Sequence, residues 1–460
     1  MQVNTKGKVL SVFTLMMINV IAVDSLRTLP ISAEYGSSLI FYYVVAAVCF
    51  FIPTALVTAE LATGWPNTGG AYVWVTKAFG PKIGFLTIWL QWIYNVVWYP
   101  TILAFLAGTF AALIDPSLAT NTTYTLSVIL ILFWASTFLS CMGLQISSRF
   151  SVVGAVVGTM IPMLVIVSLG ILWVEHGHLS QIHFDRADLF PHLNNVNNLG
   201  YLVAVLFGLM GMEMSAVHAG DVKNPQKDYP KALLYSSLII LVTLIGGSLA
   251  IAVVIPPSQI SLVSSLVDAY AIFFKTYHLV WAVPAMVAMI FISGLANMSA
   301  WVIGPTRGLW VAAEEGNVPK YFAKLNKHGM PARILILQAV IVTLLCAVFL
   351  LMPSVNSSYW ILTALTSQLA LLFYIFMFAA VVRLRYRSPE VQRSYKIPGG
   401  NWGVWIVAGV GILTSISVIL LGFLPPSNLH IASVRTYELI LVGGILLFAL
   451  PPLLIHRNKK

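Results

Sequence analysis

The sequence predicts an all-α integral membrane protein with about 12 transmembrane helices. Composition is the first reason: 59% of the 460 residues are hydrophobic and 9% are charged, where a soluble domain carries about 25% charged residues. The second is a series of apolar runs long enough to cross hydrocarbon as helix, at 9–33, 38–63, 83–114, 124–144, 150–174, 199–220, 231–255, 279–304, 333–352, 359–382, 403–424 and 437–455. Strands of a membrane barrel would alternate over segments of about 10 residues, and these runs do not. The third is charge placement. With the N-terminus inside, the even loops and both tails hold nearly all the Lys and Arg. The opposite side holds only Arg186, Lys275 and Arg435, and Arg27 lies within the membrane. This positive-inside pattern puts both termini in the cytoplasm. The net charge of +10 is therefore topological, and no nucleic-acid partner is expected.

Lys6 and Lys8 precede the first apolar run as in a signal peptide, but no small-residue cleavage site follows a short core, so the segment is expected to stay. Its middle reads Val20-Ile-Ala-Val-Asp-Ser-Leu-Arg-Thr-Leu-Pro30. A charge near the bilayer centre costs about 2.5–3.5 kcal/mol on insertion scales, and Pro30 removes a backbone donor and disfavours helix at Leu29. Non-helical backbone survives at this depth only where protein or an aqueous cavity surrounds it. The stretch therefore predicts a broken helix forming half of a substrate site. Asp24 and Arg27 have two readings: they pair with each other and hold the break, or Arg27 grips a substrate carboxylate while Asp24 binds an amine or balances Arg27 in the empty site.

The second segment ends at Glu60, read as a helix-end carboxylate, and runs into a Gly- and Pro-rich structured turn, Gly64 to Tyr72. In the third, Trp92, Asn95 and Tyr99 share one helical face. Asn95 either lines the site or makes an interhelical hydrogen bond. The fifth carries Gly154-x-x-x-Gly158, a signature of close helix packing. The outer loop near 175–198 holds His176, His178, His183 and His192 at spacings that match no familiar metal site.

The sixth segment repeats the anomaly of the first. Gly208-Leu-Met-Gly211-Met-Glu213 lies at its middle, followed by His218 and Asp221. Corresponding breaks in two apolar segments point to a transporter site between inverted repeats. That predicts a first repeat over 9–174, an inverted repeat over 199–382 and two accessory helices over 403–455, all within a single domain. Glu213 is read either as a proton-responsive gate or as a carboxylate bonded to backbone N–H groups freed by the break.

The stretch after segment 8 is expected to stay helical to about Glu315 and stop at Gly316. The basic loop Arg383–Arg393 is read as an orientation signal. Cys49, Cys141 and Cys346 fall inside apolar segments as small core residues. Asn121 and Asn356 fit the glycosylation pattern on outer loops. Both tails are short, so no attached soluble domain is expected.

Three stretches, in order, resemble the amino acid/polyamine/organocation transporter superfamily: Pro66-x-x-Gly69-Gly70-x-Tyr72, Gly211-Met-Glu213 with Asp221-Val-Lys-Asn-Pro-Gln-Lys-Asp-Tyr-Pro-Lys231, and Arg307 through Pro319 to Pro331. Val23-Asp24-Ser25 replaces the usual Gly-Ser-Gly-like break and, with Glu60-Leu-Ala-Thr-Gly-Trp65, is similar to the glutamate/γ-aminobutyrate antiporter branch. The resemblance implies a LeuT-type 5+5 inverted repeat with discontinuous helices 1 and 6. It also implies that backbone around Ile21, Val23, Asp24 and Ser25 and around Phe207, Gly208 and Met210 holds the substrate's amino and carboxylate groups, with side chains from Phe207, Asn95 and Trp301; Arg27 and Glu213 keep their two readings. Half-helix N–H groups suit a carboxylate and broken-end carbonyls an ammonium, while Phe207 and Trp301 can cover a cation. Gly158 occupies the position where some relatives carry a coupling Lys. That favours exchange, or protons carried by Glu213 or Asp24; sodium stays open.

The expected function is secondary active transport by alternating access, exchanging amino acids with each other or with amines. The alternatives are a proton-coupled importer of neutral amino acids or amines, and a transport-inactive receptor. No nucleophile–base or metal constellation suggests an enzyme, and no cofactor is expected. The expected location is the bacterial inner membrane, as monomer or homodimer.

Overall fold

The computed structural model describes residues 11–66, 69–143, 152–186, 188–191, 199–200, 202–221, 224–426 and 433–453. Lys6, Lys8, Arg149, His192, Lys223, Arg457, Lys459 and Lys460, and the side chains of His218 and Asp221, lie outside that description. Among the described residues every regular element is helical. Eleven helical stretches are long and apolar enough to cross a membrane, and a shorter apolar one, Leu202–Ala216, stands where segment 6 was expected.

The first span is α1 (Val12–Val23), capped by Ser11 Oγ accepting from Thr14 N, then a 3-10 turn (Leu26–Thr28) and α2 (Leu29–Ala33). Pro30 sits in the first turn of α2, where its missing N–H leaves no acceptor unpaired. The second span is α3 (Leu39–Ala46) and α4 (Ile52–Gly64), joined through a π turn at Ala47–Phe51. The Gly-rich turn then opens a separate short helix, α5 (Ala71–Phe79). Gly70 there has φ +48°, a conformation costly for any residue with a Cβ. The chain continues with α6 (Pro81–Ile114), α7 (Thr122–Cys141) and α8 (Ile161–Glu175), the last preceded by a π turn at Gly154–Met160.

Segment 6 is α9 (Leu202–Phe207), an irregular stretch and a 3-10 run over Met212–Asp221. There follow α10 (Pro225–Val254), α11 (Ser265–Thr276), α12 (Val283–Glu314), α13 (Ala332–Leu345), α14 (Val348–Leu351), α15 (Val355–Arg387), α16 (Gly400–Leu421) and α17 (Val434–Ala449). Helix α12 continues through Pro305 and ends before Gly316, whose φ is +77°. Helix α11 is an element the search for spanning runs misses, because its 12 residues are too short to cross. It buries Leu266, Val267, Tyr270, Phe273 and Phe274, one stripe at helical spacing.

Helices α6, α12 and α15 pack against one another or against the breaks and are mostly buried; α16 and α17 are largely outward-facing. Leu344 and Leu350, each 70% exposed, belong to an apolar outer surface that water would not tolerate at this extent and lipid does. The glycines of Gly154-x-x-x-Gly158 are indeed contact points. A Cβ on Gly154 would lie 2.5 Å from the Ala296 Cβ, and one on Gly158 2.7 Å from the Ser293 backbone N.

Glu60 is not a free helix-end carboxylate. It is fully buried, accepting from Arg385 Nε at 2.8 Å and from the Ile397 backbone N–H at 2.9 Å, with Arg393 Nε at 3.7 Å. A second Arg385–Glu60 contact makes the pair bidentate. The basic loop after segment 10 thus serves as a clamp between α4 and α15.

Candidate functional site

Two broken spans meet at the centre of the molecule. Asp24 (φ −75°, ψ 77°) and Ser25 (φ −95°, ψ 116°) leave helical geometry, and Ser25 N–H turns back to the Val23 carbonyl at 2.8 Å. The Ile21 carbonyl, deprived of its usual donor, accepts from Asn297 Nδ2, and the Ala22 carbonyl accepts from Trp301 Nε1 at 3.2 Å. Side chains of α12 therefore cap the end of α1. In segment 6 the break falls at 208–211. A Cβ on Gly208 would stand 3.3 Å from Thr28 Oγ1, and one on Gly211 3.0 Å from the Trp301 ring and 3.2 Å from Val23 Cγ2. With φ +117°, Gly211 also needs the freedom glycine alone has. Both glycines permit the breaks to approach.

Between them lies a narrow cavity of about 30 Å³, lined by Ala22, Val23, Ser25, Arg27, Thr28, Tyr94, Asn95, Trp98, Phe207, Gly208, Met210, Asn297 and Trp301. A smaller adjoining cavity shares Ser25, Arg27 and Asn297 with it. Arg27 is 1% exposed and donates through Nη1 to Tyr359 Oη at 3.0 Å, Thr101 Oγ1 at 3.3 Å and Thr363 Oγ1 at 3.5 Å. Its guanidinium stands 5.0 Å from the centre of the Phe207 ring and 6.0 Å from that of Trp98. All its protein acceptors are neutral hydroxyls, and Nε has no partner. Tyr94 Oη and Asn297 Oδ1 are likewise buried and unpartnered.

Of the residues singled out from sequence, Val23, Ser25, Arg27, Asn95, Phe207, Gly208, Met210 and Trp301 come together around this cavity. Ile21 stands behind it, its carbonyl occupied by Asn297. Asp24 is a correction: it does not line the cavity and does not pair with Arg27. Its Oδ2 lies 2.8 Å from Thr243 Oγ1 on α10, because the tight turn at Asp24 and the extended Ser25 turn the two side chains to different neighbours. Glu213, 2% exposed, is held by the Tyr374 hydroxyl at 2.6 Å, which itself accepts from Gly211 N–H at 2.8 Å. The bond to freed backbone is therefore relayed through a phenol.

On α6, Trp92, Asn95 and Tyr99 do recur along one helical stretch, but Tyr94, Asn95 and Trp98 line the cavity, whereas Trp92 donates to Gln338 and Tyr99 to the Trp301 carbonyl. Asn95 bonds its own helix, Nδ2 to the Gln91 carbonyl at 2.7 Å, and makes no interhelical bond through that amide nitrogen. Sequence reasoning missed Tyr94, Trp98 and Asn297. Asn297 lies one turn before Trp301, so i, i+4 spacing was a usable signal.

A multi-pass helical bundle with two interrupted spans crossing at a buried polar cavity has the build of a secondary transporter. The chain matches the amino acid permease family over residues 8–446 and belongs to it. It is 54% identical over 455 residues to an uncharacterized transporter of Legionella pneumophila, covering 99% of this chain and 98% of that one. It is 30% identical over 455 residues to a glutamate/γ-aminobutyrate antiporter of Lactococcus lactis, covering 98% and 90%. A probable agmatine/putrescine antiporter of Lactococcus lactis is 26% identical over 432 residues, covering 93% and 90%. The chain is thus a membrane transporter and not an enzyme.

Proposed function

We propose that the protein is a secondary active amino-acid transporter of the inner (plasma) membrane that exchanges one amino acid for another, or for an amine, by alternating access. The observation that carries this reading is the set of unpartnered buried groups among residues lining one cavity: Arg27 Nε, Tyr94 Oη and Asn297 Oδ1. A zwitterion supplies what each lacks. Its ammonium can donate to Asn297 Oδ1, and a carboxylate can accept from Arg27, whose charge no carboxylate offsets among its hydrogen-bond partners. Phe207, Trp98 and Trp301 border the same space and are placed to exclude water when it closes. Arg27 favours substrates with an anionic group, consistent with the name of the glutamate/γ-aminobutyrate antiporter relative.

In this reading residues 9–174 and 199–382 act as the two inverted halves and 403–455 as accessory helices. The test is counterflow in proteoliposomes. Uptake that depends strictly on internal amino acid or amine supports exchange. Uptake driven by an ion gradient into empty vesicles would replace exchange with symport, and no flux would remove the transport reading.

A further inference from the structure

We propose that Asp24 is a proton-binding site of the transport cycle, separate from the substrate cavity and on the α10 side of the broken first span. Asp24 is 1% exposed. Its Oδ1 has no partner, and no cation contacts it among the described residues. Such a carboxylate is costly as an anion inside a membrane and inexpensive once neutral.

The hydrogen bonds give the second, independent argument. Thr243 Oγ1 lies 2.8 Å from Asp24 Oδ2, 2.8 Å from the Ile239 carbonyl and 3.1 Å from the Ile240 carbonyl. A hydroxyl has one proton to give and two lone pairs to receive. If that proton goes to Ile239, as Thr back-bonding in a helix favours, Asp24 must be the donor. A protonated Asp24 then completes an Oδ2–H to Oγ1 to carbonyl chain with every proton placed. Loading and unloading makes and breaks only this O–H bond, with water as donor and acceptor.

The seam around Asp24 is polar. On α10, Tyr229, Ser236 and Thr243 recur at seven-residue spacing, so they lie along one stripe, about 10 Å per step. Each is paired across the seam: Tyr229 with Ser215 at 2.8 Å, Ser236 with Asn19 at 3.1 Å, and Thr243 with Asp24. Steps of that length require water between them, and the stripe runs from the Pro225 end of α10 to Asp24. Tyr43 is the titratable group facing Asp24 from α3, its hydroxyl 2.9 Å from Ser32 Oγ. Of the other charged groups of the two broken spans, Arg27 donates to Tyr359 and Glu213 accepts from Tyr374 through Oε2, each keeping one unpartnered polar atom, Arg27 Nε and Glu213 Oε1. The π turn at Gly154–Met160 brings no titratable side chain.

This inference rests on the exchanger reading, and two measurements separate their fates. Full-length protein in vesicles with a trapped pH indicator gives protons moved per substrate exchanged. The wild type should move protons with substrate, Asp24→Asn should exchange without them, and Asp24→Glu should restore the coupling. An unchanged ratio in Asp24→Asn, or exchange without proton movement in the wild type, overturns the proposal. The infrared difference between wild type and Asp24→Asn, recorded without substrate, should contain a protonated-carboxyl band. Its absence overturns the proposal whether or not exchange occurs.

Discussion

Asp24 and Arg27 stand three residues apart at the break in the first span, both 1% exposed, and make no ion pair with each other. Arg27 reaches into the cavity among Tyr359, Thr101 and Thr363, while Asp24 turns to Thr243. Held apart this way, each side chain keeps one unpartnered polar atom, Asp24 Oδ1 and Arg27 Nε. In a helix, i, i+3 side chains would share a face. The tight turn at Asp24 and the extended Ser25 break that registry, and the separation makes the first span useful on both sides.

Asn297 offers its Oδ1 to the cavity while its Nδ2 holds the Ile21 carbonyl. Asn297→Ala should raise KM for amino acids by about 10- to 100-fold, the worth of a hydrogen bond to a charged group. The loss should not depend on side-chain charge, as measured by competition uptake. A loss confined to acidic substrates would assign Asn297 to the side chain instead of the ammonium.

Glu213 communicates with the break through Tyr374 and Gly211. Glu213→Gln keeps an acceptor for the Tyr374 hydroxyl but cannot change charge. Its transport should persist with a flattened pH–rate profile. A profile identical to wild type would rule out the gate role.

Glu60 anchors a buried charge cluster with Arg385 and Arg393. Glu60→Ala leaves guanidinium groups buried without their anion, a change that costs about 3–5 kcal/mol. A large drop in the thermal unfolding midpoint in detergent is expected, with little change in substrate preference for whatever protein remains folded.

Gly158 packs its Cα face on the Ser293 backbone. Gly158→Ala should destabilise by about 1–3 kcal/mol through overpacking. Gly409, with nothing within 4 Å of a built Cβ, provides the control. Gly409→Ala should leave the unfolding midpoint unchanged or slightly raised.

Much of the bundle was legible because lipid demands long apolar helices, and the breaks showed as Asp24, Arg27, Pro30, Gly208 and Gly211 inside apolar runs. Directions of side chains were not legible. The rotation of α6 that places Tyr94 and Trp98 on the cavity goes with packing against α12 and α15, and aromatic side chains occur on more than one face of that stretch, so they mark no single stripe. The three-residue spacing of Asp24 and Arg27 suggests a pair on one face, which holds only for an unbroken helix. The Glu60 clamp was hidden for another reason: its partners lie more than 300 residues away, at Arg385 and Arg393. Helix α11, at 12 residues, is too short to stand out among runs that cross a membrane.

The central claim is that Arg27 receives an anionic group of the substrate in the cavity where the two breaks meet. The most direct measurement is a competition panel of amino acids and amines against exchange in proteoliposomes, run on wild type and Arg27→Gln. Acidic amino acids should compete in the wild type and fall back by about 10- to 100-fold in Arg27→Gln, while neutral competitors change less. The same rank order and the same strengths in both proteins would contradict the account.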